Sequence, residues 1–277
     1  MKNKLKIGEI RYANCTPIYH KLKTGCDCTG YEFVVGEPSA LNGLLANGDV
    51  DVSSSSSIEY ARHWREYLIV PGISISSVGR VGSILLFSKT PMDRLGGENV
   101  SVSTASATST VLLKALLKNR YKLDVSYTPA KPELSTMLSN ASAALLIGDE
   151  ALKERAALGA GSGLLVYDLG ELWHEFTGLP FVYALWMMRE DSAHRMPALA
   201  GKFKEDLQRA KSLADGSYED IAGVSPEAAW MGKRALVDYW ENMSYGLDAA
   251  HIKGLKAFFE MAVKLGEVSE RPELRFL

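Results

Sequence analysis

Leu179-Pro180-Phe181-Val182-Tyr183-Ala184-Leu185-Trp186-Met187-Met188 is the longest apolar run in the chain, and the fold turns on what stands to either side of it. The run falls well short of the roughly 20 residues that a bilayer-spanning helix needs. Its part from Phe181 to Met188 reads as a buried strand. Before it, short apolar runs alternate with amphipathic segments, the pattern of an α/β fold. After it, from Pro197 onward, helical patterns dominate. Pro197 and Pro226 suit first helical turns, and Ser225 suits the N-cap of the second. Asp248 suits the cap of a last long helix whose Ile252, Leu255, Phe258, Phe259 and Val263 form a core stripe.

Reading back toward the N-terminus, strands are expected at Leu164 to Tyr167, Ala143 to Ile147, Val100 to Ser103 and Ser83 to Ser88. Earlier ones are expected at Asp49 to Ser53, Tyr31 to Val35 and Lys6 to Tyr12. Ser39 and Gly48 bracket a short helix carrying Leu41, Leu44 and Leu45. Ser56-Ser57-Ile58-Glu59 fits a capping box, with a helix running to about Tyr67. Thr108-Ser109-Thr110 precedes a helix with Leu112, Leu113, Leu116 and Leu117 on one face. The order is α/β, α/β, then all-helical. It fits two lobes in which the chain crosses over twice, near Phe87 and near Tyr183. Residues 1–88 and 184–277 then form lobe one, and residues 89–183 form lobe two. Open α/β sheets bind ligands at the carboxyl ends of their strands, so two facing lobes make a cleft.

Composition narrows the function classes. The 277 residues are 47% hydrophobic and 23% charged, as in ordinary globular proteins, which excludes disorder. A net charge of -2 with no like-charge run gives no reason to expect a nucleic-acid partner. Met1 to Ile10 is basic at its start but has no apolar core after it, so a secretion signal is not expected. The expectation is a cytoplasmic protein with no membrane partner. Three cysteines, Cys15, Cys26 and Cys28, argue against a disulfide framework. Cys26-Asp27-Cys28 lacks the spacing of a zinc or redox pair, so no metal is expected. There is no P-loop, no His-Glu-x-x-His and no Gly-x-Ser-x-Gly. Of the scattered histidines, His20 stands nearest a strand end. Gly159-Ala160-Gly161-Ser162-Gly163 precedes a strand, where a dinucleotide loop would follow one, and reads as a turn.

What remains is a set of neutral hydrogen-bonding segments at predicted strand ends. They are Tyr12-Ala13-Asn14-Cys15-Thr16-Pro17, Ser53 to Ser57, and Ser106-Ala107-Thr108-Ser109-Thr110. The last two run into helix N-termini, where free N–H groups and the helix dipole favour an anion. Any one of them could be plain N-capping; three at corresponding strand ends point to a ligand site. Asp149, in Gly148-Asp149-Glu150, either caps its helix or lines the cleft. Asn14 either makes an Asx-turn or faces the ligand, where an amide stays neutral beside an anion. Pro17 is expected to turn the segment out of the sheet.

These same residues carry a family resemblance. Ile7-Gly8-Glu9-Ile10-Arg11-Tyr12-Ala13-Asn14-Cys15-Thr16-Pro17 resembles the opening Gly-x-[Ile/Val]-x-Tyr-x-Asn-x-x-Pro of the chorismate dehydratases. Ile73 to Ser83 with Leu85-Leu86-Phe87-Ser88 is similar to their central strand and its loop. Leu145 to Leu152 resembles their Ile-Gly-Asp-x-Ala-Leu. Tyr167-Asp168-Leu169-Gly170 with Trp173, then Thr177 to Trp186, is the most specific stretch. A sister family, the 1,4-dihydroxy-6-naphthoate synthases, opens with Ser-Pro-Cys-Pro-Asn-Asp, which this chain lacks. Ser53 to Ser57 departs from the family's more apolar segment there.

The resemblance implies a two-lobed type II periplasmic-binding-protein-like fold with an interlobe cleft and C-terminal helices. It also implies conversion of chorismate, a small dicarboxylate, to 3-[(1-carboxyvinyl)oxy]benzoate in the futalosine route to menaquinone, with no metal or organic cofactor. Asn14 is then the expected catalytic residue. Tyr12, Ser54, Ser55, Ser56, Ser83, Thr108, Ser109 and Asp149 are expected to bind substrate. Whether a side chain or a substrate carboxylate takes the proton stays open, as does the oligomeric state. The reading from another class is a non-catalytic binding protein for a small carboxylate.

Overall fold

The computed structural model describes residues 4–105, 107–159 and 161–277. Its ten named strands form two five-stranded sheets. The chain enters through β1 (Leu5–Glu9), β2 (Tyr31–Val35), β3 (Val52–Ser56) and the long β4 (Tyr67–Ser77). It then builds a second sheet from β5 (Ile84–Ser88), β6 (Asn99–Ser103), β7 (Ser126–Ala130), β8 (Ala143–Ile147) and β9 (Leu165–Asp168). It returns through β10 (Phe181–Arg189), which inserts antiparallel between β3 and β4 and closes the first sheet in the order β2-β1-β3-β10-β4. The second sheet runs β7-β6-β8-β5-β9.

The expected crossover at residue 88 therefore falls one strand late. Ile84–Ser88 pairs with β8 and β9 in the second sheet, because its apolar side chains complete that core. The return crossing comes early as well, since Phe181 to Tyr183 already belong to the first sheet.

Elsewhere the boundaries shift by a few residues. β1 ends at Glu9, so Tyr12 to Cys15 form a turn, with the Cys15 N–H donating to Tyr12 O. Pro17 lies in the first turn of the Thr16–Gly25 helix; the chain leaves the sheet before it. The serine run is strand, with β3 spanning Val52–Ser56. The capping box does not form. The Ser57–His63 helix has no side-chain cap from Ser56 and ends before Tyr67, which opens β4. Ser225 Oγ donates to Ile221 O at the end of the Tyr218–Val224 helix, so it does not open the next one.

The Pro38–Asn47 helix ends as expected at Gly48, whose φ of 81° is left-handed. Asp248 caps the Ala249–Lys264 helix, its carboxylate accepting from the Ala250 and His251 N–H groups. Leu255, Phe258 and Phe259 of that helix are buried. Each such side chain contributes about 1.5–3 kcal/mol. Gly254 lets the helix lie directly on the entry to β10: a Cβ there would sit 2.1 Å from Pro180 O. Among the described residues no helix is long and apolar enough to cross a membrane.

Candidate active site between the lobes

The two sheets face each other across a cleft lined by Ile10, Tyr12, Asn14, Cys15, Ser54, Ser56, Ser83, Thr108, Ser109, Gly148 and Tyr183, among others. Seven of the nine expected site residues meet there; Ser55 and Asp149 do not. Side chains alternate along β3, so Ser54 and Ser56 face the cleft while Ser53 and Ser55 are buried with no hydrogen-bond partner for their hydroxyls. Asp149 stands in the first turn of the Gly148–Ala157 helix. It turns away from the cleft to accept from the Ala13 N–H at 3.0 Å. It lines a separate cavity with His20, Lys23 and Glu227, so His20 is also off the cleft. Ser106, which opens the predicted hydrogen-bonding segment, and Ala160, in a predicted turn, lie outside the described residues.

The Asn14 turn is tied from several sides. Trp240 Nε1 donates to Ala13 O at 2.7 Å, and Tyr245 Oη donates to Asn14 O at 2.9 Å. The Asn14 side-chain oxygen is shielded from solvent and takes no hydrogen bond from the protein. That unmet acceptor, on the wall of a cleft, is the feature most in need of a ligand.

Across the cleft, Thr108 and Ser109 open the Thr108–Asn119 helix. Thr108 is already engaged. Its Oγ1 accepts from the Ile58 N–H at 3.1 Å, capping the helix of the opposite lobe that Ser56 leaves uncapped. Its own O–H points to Ser57 Oγ at 3.4 Å, since the Ser57 proton goes to Val182 O at 2.8 Å. Ser83 Oγ accepts from Tyr239 Oη at 2.8 Å, which aims its proton elsewhere. Tyr12 Oη donates to Glu37 at 3.2 Å, and its ring packs on Gly148, where a Cβ would lie 2.8 Å away.

Asp168 stands in the most specific stretch of the resemblance, which assigns it no role. It accepts from the N–H groups of Val81, Gly82, Gly170 and Glu171, so it caps the Leu169–Thr177 helix and pins the loop that carries Ser83. Tyr183, Cys15 and Tyr239 were also missed as site residues. Tyr183 and Tyr239 read as core in the sequence because only a single polar atom marks each, and Cys15 lies within the Tyr12 to Pro17 segment without a role of its own. Burial pushes the Cys15 thiol up to about 12 and the Tyr183 phenol well above its ordinary range, so both are neutral near pH 7. Among the described residues lining the cleft there is no carboxylate, imidazole or amine.

This architecture is that of the periplasmic-binding-protein fold. The chain superposes on a protein of Archaeoglobus fulgidus with a TM-score of 0.78 at 18% identity, covering 96% of this chain and 98% of that one. It superposes on the alkanesulfonate-binding protein of Xanthomonas axonopodis pv. citri, bound to MOPS, with a TM-score of 0.70 at 14% identity, covering 98% and 96%. Within that fold the chain belongs to the menaquinone biosynthesis family, whose model matches residues 5–264. It is 34% identical over 269 residues to the chorismate dehydratase of Thermus thermophilus, covering 92% of this chain and 93% of the relative. It is 31% identical over 181 residues to a chorismate dehydratase of Campylobacter jejuni, covering 64% of each.

Proposed function

We propose that the chain dehydrates chorismate to 3-[(1-carboxyvinyl)oxy]benzoate and water, as a cytoplasmic step in menaquinone biosynthesis by the futalosine route. The observation that carries this reading is the likeness to the Thermus thermophilus dehydratase along 92% of the chain. The cleft supports it by its chemistry. Loss of the C3 proton and the C4 hydroxyl breaks one C–H and one C–O bond and leaves an aromatic ring, so the reaction runs downhill. The site has to orient a dianion and stabilise the departing hydroxide.

The N-terminus of the Thr108–Asn119 helix, with Ser109, suits one carboxylate. Ser54, Ser56 and Ser83 add hydroxyl donors, and Tyr12 closes the mouth. The Asn14 amide is assigned to the departing C4 oxygen, accepting its O–H before the step and donating from Nδ2 as charge develops. With Cys15 and the tyrosines neutral and no ionised base on the wall, the C3 proton is assigned to one of the substrate's own carboxylates.

Purified protein incubated with chorismate and no added cofactor is expected to form the aromatic enol ether, read by chromatography and mass. A folded sample that leaves chorismate intact at high protein concentration would overturn the reading. If chorismate then also raises the melting temperature, the protein is a carboxylate-binding protein.

A further inference from the structure

Three hydrogen bonds hold the turn around Asn14 from outside it, and they differ in origin. Trp240 and Tyr245 belong to the C-terminal segment that packs on the first lobe, so their bonds persist however the lobes stand. The third comes from Asp149, on the helix that follows β8 of the second sheet. It is anchored there by the same junction whose Gly148 packs on the Tyr12 ring, and the Gly148 N–H in turn donates to Ser83 O. Only this bond depends on the lobes being together.

We propose that Asp149 is a positioning residue: its carboxylate, reaching from the second lobe to the Ala13 N–H of the first, sets the Asn14 amide in its working orientation when the cleft closes. The latch thus couples closure to catalysis without touching substrate. Asp149 faces Glu150 and Lys153 of its own helix. From the first lobe it faces Glu227, Tyr12, Cys15 and Tyr239, with Arg11 and His20 across the second cavity. Burial, with Glu150 and Glu227 adding to it, lifts its carboxyl to about 6, while the Ala13 N–H pulls the other way. The latch is therefore strongest above that pH, where the acceptor is charged.

The activity arm of the test rests on the dehydratase reading; the amide arm does not. Asp149→Ala removes the acceptor, and Asp149→Asn keeps an oxygen acceptor while removing the charge. For Asp149→Ala we expect kcat on chorismate to fall by about tenfold or more with KM little changed, because substrate contacts are intact. The Ala13 amide, expected to exchange slowly with deuterium in the wild type, should exchange fast. Asp149→Asn should recover only part of kcat, about that of the wild type below pH 6, and keep the amide protected. It should also lack the rise in kcat through about pH 6 that is expected of the wild type.

A folded Asp149→Ala with wild-type kcat, or with a protected Ala13 amide, overturns the proposal. So does an Asp149→Asn that keeps the acid limb, and that variant decides the matter if the alanine does not fold. A wild type that leaves chorismate unchanged removes the dehydratase reading alone, since the amide exchange still reports the latch.

Discussion

Asn14 shows how a single side chain can be marked by what it lacks. Its amide oxygen is buried and unpaired in a molecule whose neighbouring peptide groups are tied by Asp149, Trp240 and Tyr245. A buried acceptor without a partner costs about 1–3 kcal/mol, a cost that a bound hydroxyl removes. Asn14→Asp is nearly isosteric but brings a negative charge beside a dianion. We expect turnover to fall by at least about 100-fold, the scale of losing an electrostatic donor and gaining repulsion. The melting temperature should move little. Turnover near the wild-type rate would return Asn14 to the role of a turn residue. In the sequence Asn14 was visible through its place after a strand and before a proline. Asp149 was visible as a carboxylate at a strand end, but which way it turned was not. That depends on the approach of the Ala13 N–H, 136 positions away in the chain.

Among the elements, the β8–helix junction carries the most consequence. Gly148 has a φ of 62°, and a Cβ there would meet the Tyr12 ring at 2.8 Å. Gly148→Ala adds roughly 1–2 kcal/mol of left-handed backbone strain. It also pushes the lobes apart. We expect a lower melting temperature and slower turnover together; a variant that melts with the wild type would mean that the interlobe contact yields freely.

The strands that could be read were the interior apolar runs: Ala143–Ile147 matches its expected span, and Phe181–Arg189 differs only at its last residue. The strands that escaped, β4 and β7, are both edge strands and both contain proline. Pro71 and Pro129 read as breakers, yet at a sheet edge the missing N–H need not break the ladder. Much of the outer edge of β4 is covered by Ser244, Tyr245 and the tail from Arg275, which pair with it only in the folded chain. The serine run of β3 was displaced for a related reason. Composition speaks of a strand end and a helix cap, whereas pairing to β1 and β10 makes it a central strand with hydroxyls on both faces.

At the scale of the molecule, three polar bonds join the lobes at the cleft, Thr108 to the Ile58 N–H, Asp149 to the Ala13 N–H, and Tyr239 to Ser83, while the Lys114–Glu267 ion pair joins them away from it. The first three each bridge a group on or beside the cleft wall, so these interlobe contacts also shape the site. The insertion of β10 has a further consequence, for the order in which the chain acquires structure. Ser55 pairs with Leu185, whereas Ser88 pairs with Ala143 and Leu165. The centre of the first sheet thus waits for a strand made after the whole second sheet has been synthesised. Closing the longer loop costs more entropy, and the shorter-range sheet needs nothing from outside its own stretch to complete its ladder. On a ribosome, the N-terminal strands emerge first and are finished last. Pulse-labelled exchange during refolding should protect the amides of β5, β6 and β8 ahead of those of β3 and β10, and the reverse order would contradict it. Until β10 arrives, β3 offers an open, serine-rich edge, a hazard that its low hydrophobicity makes safe to leave exposed.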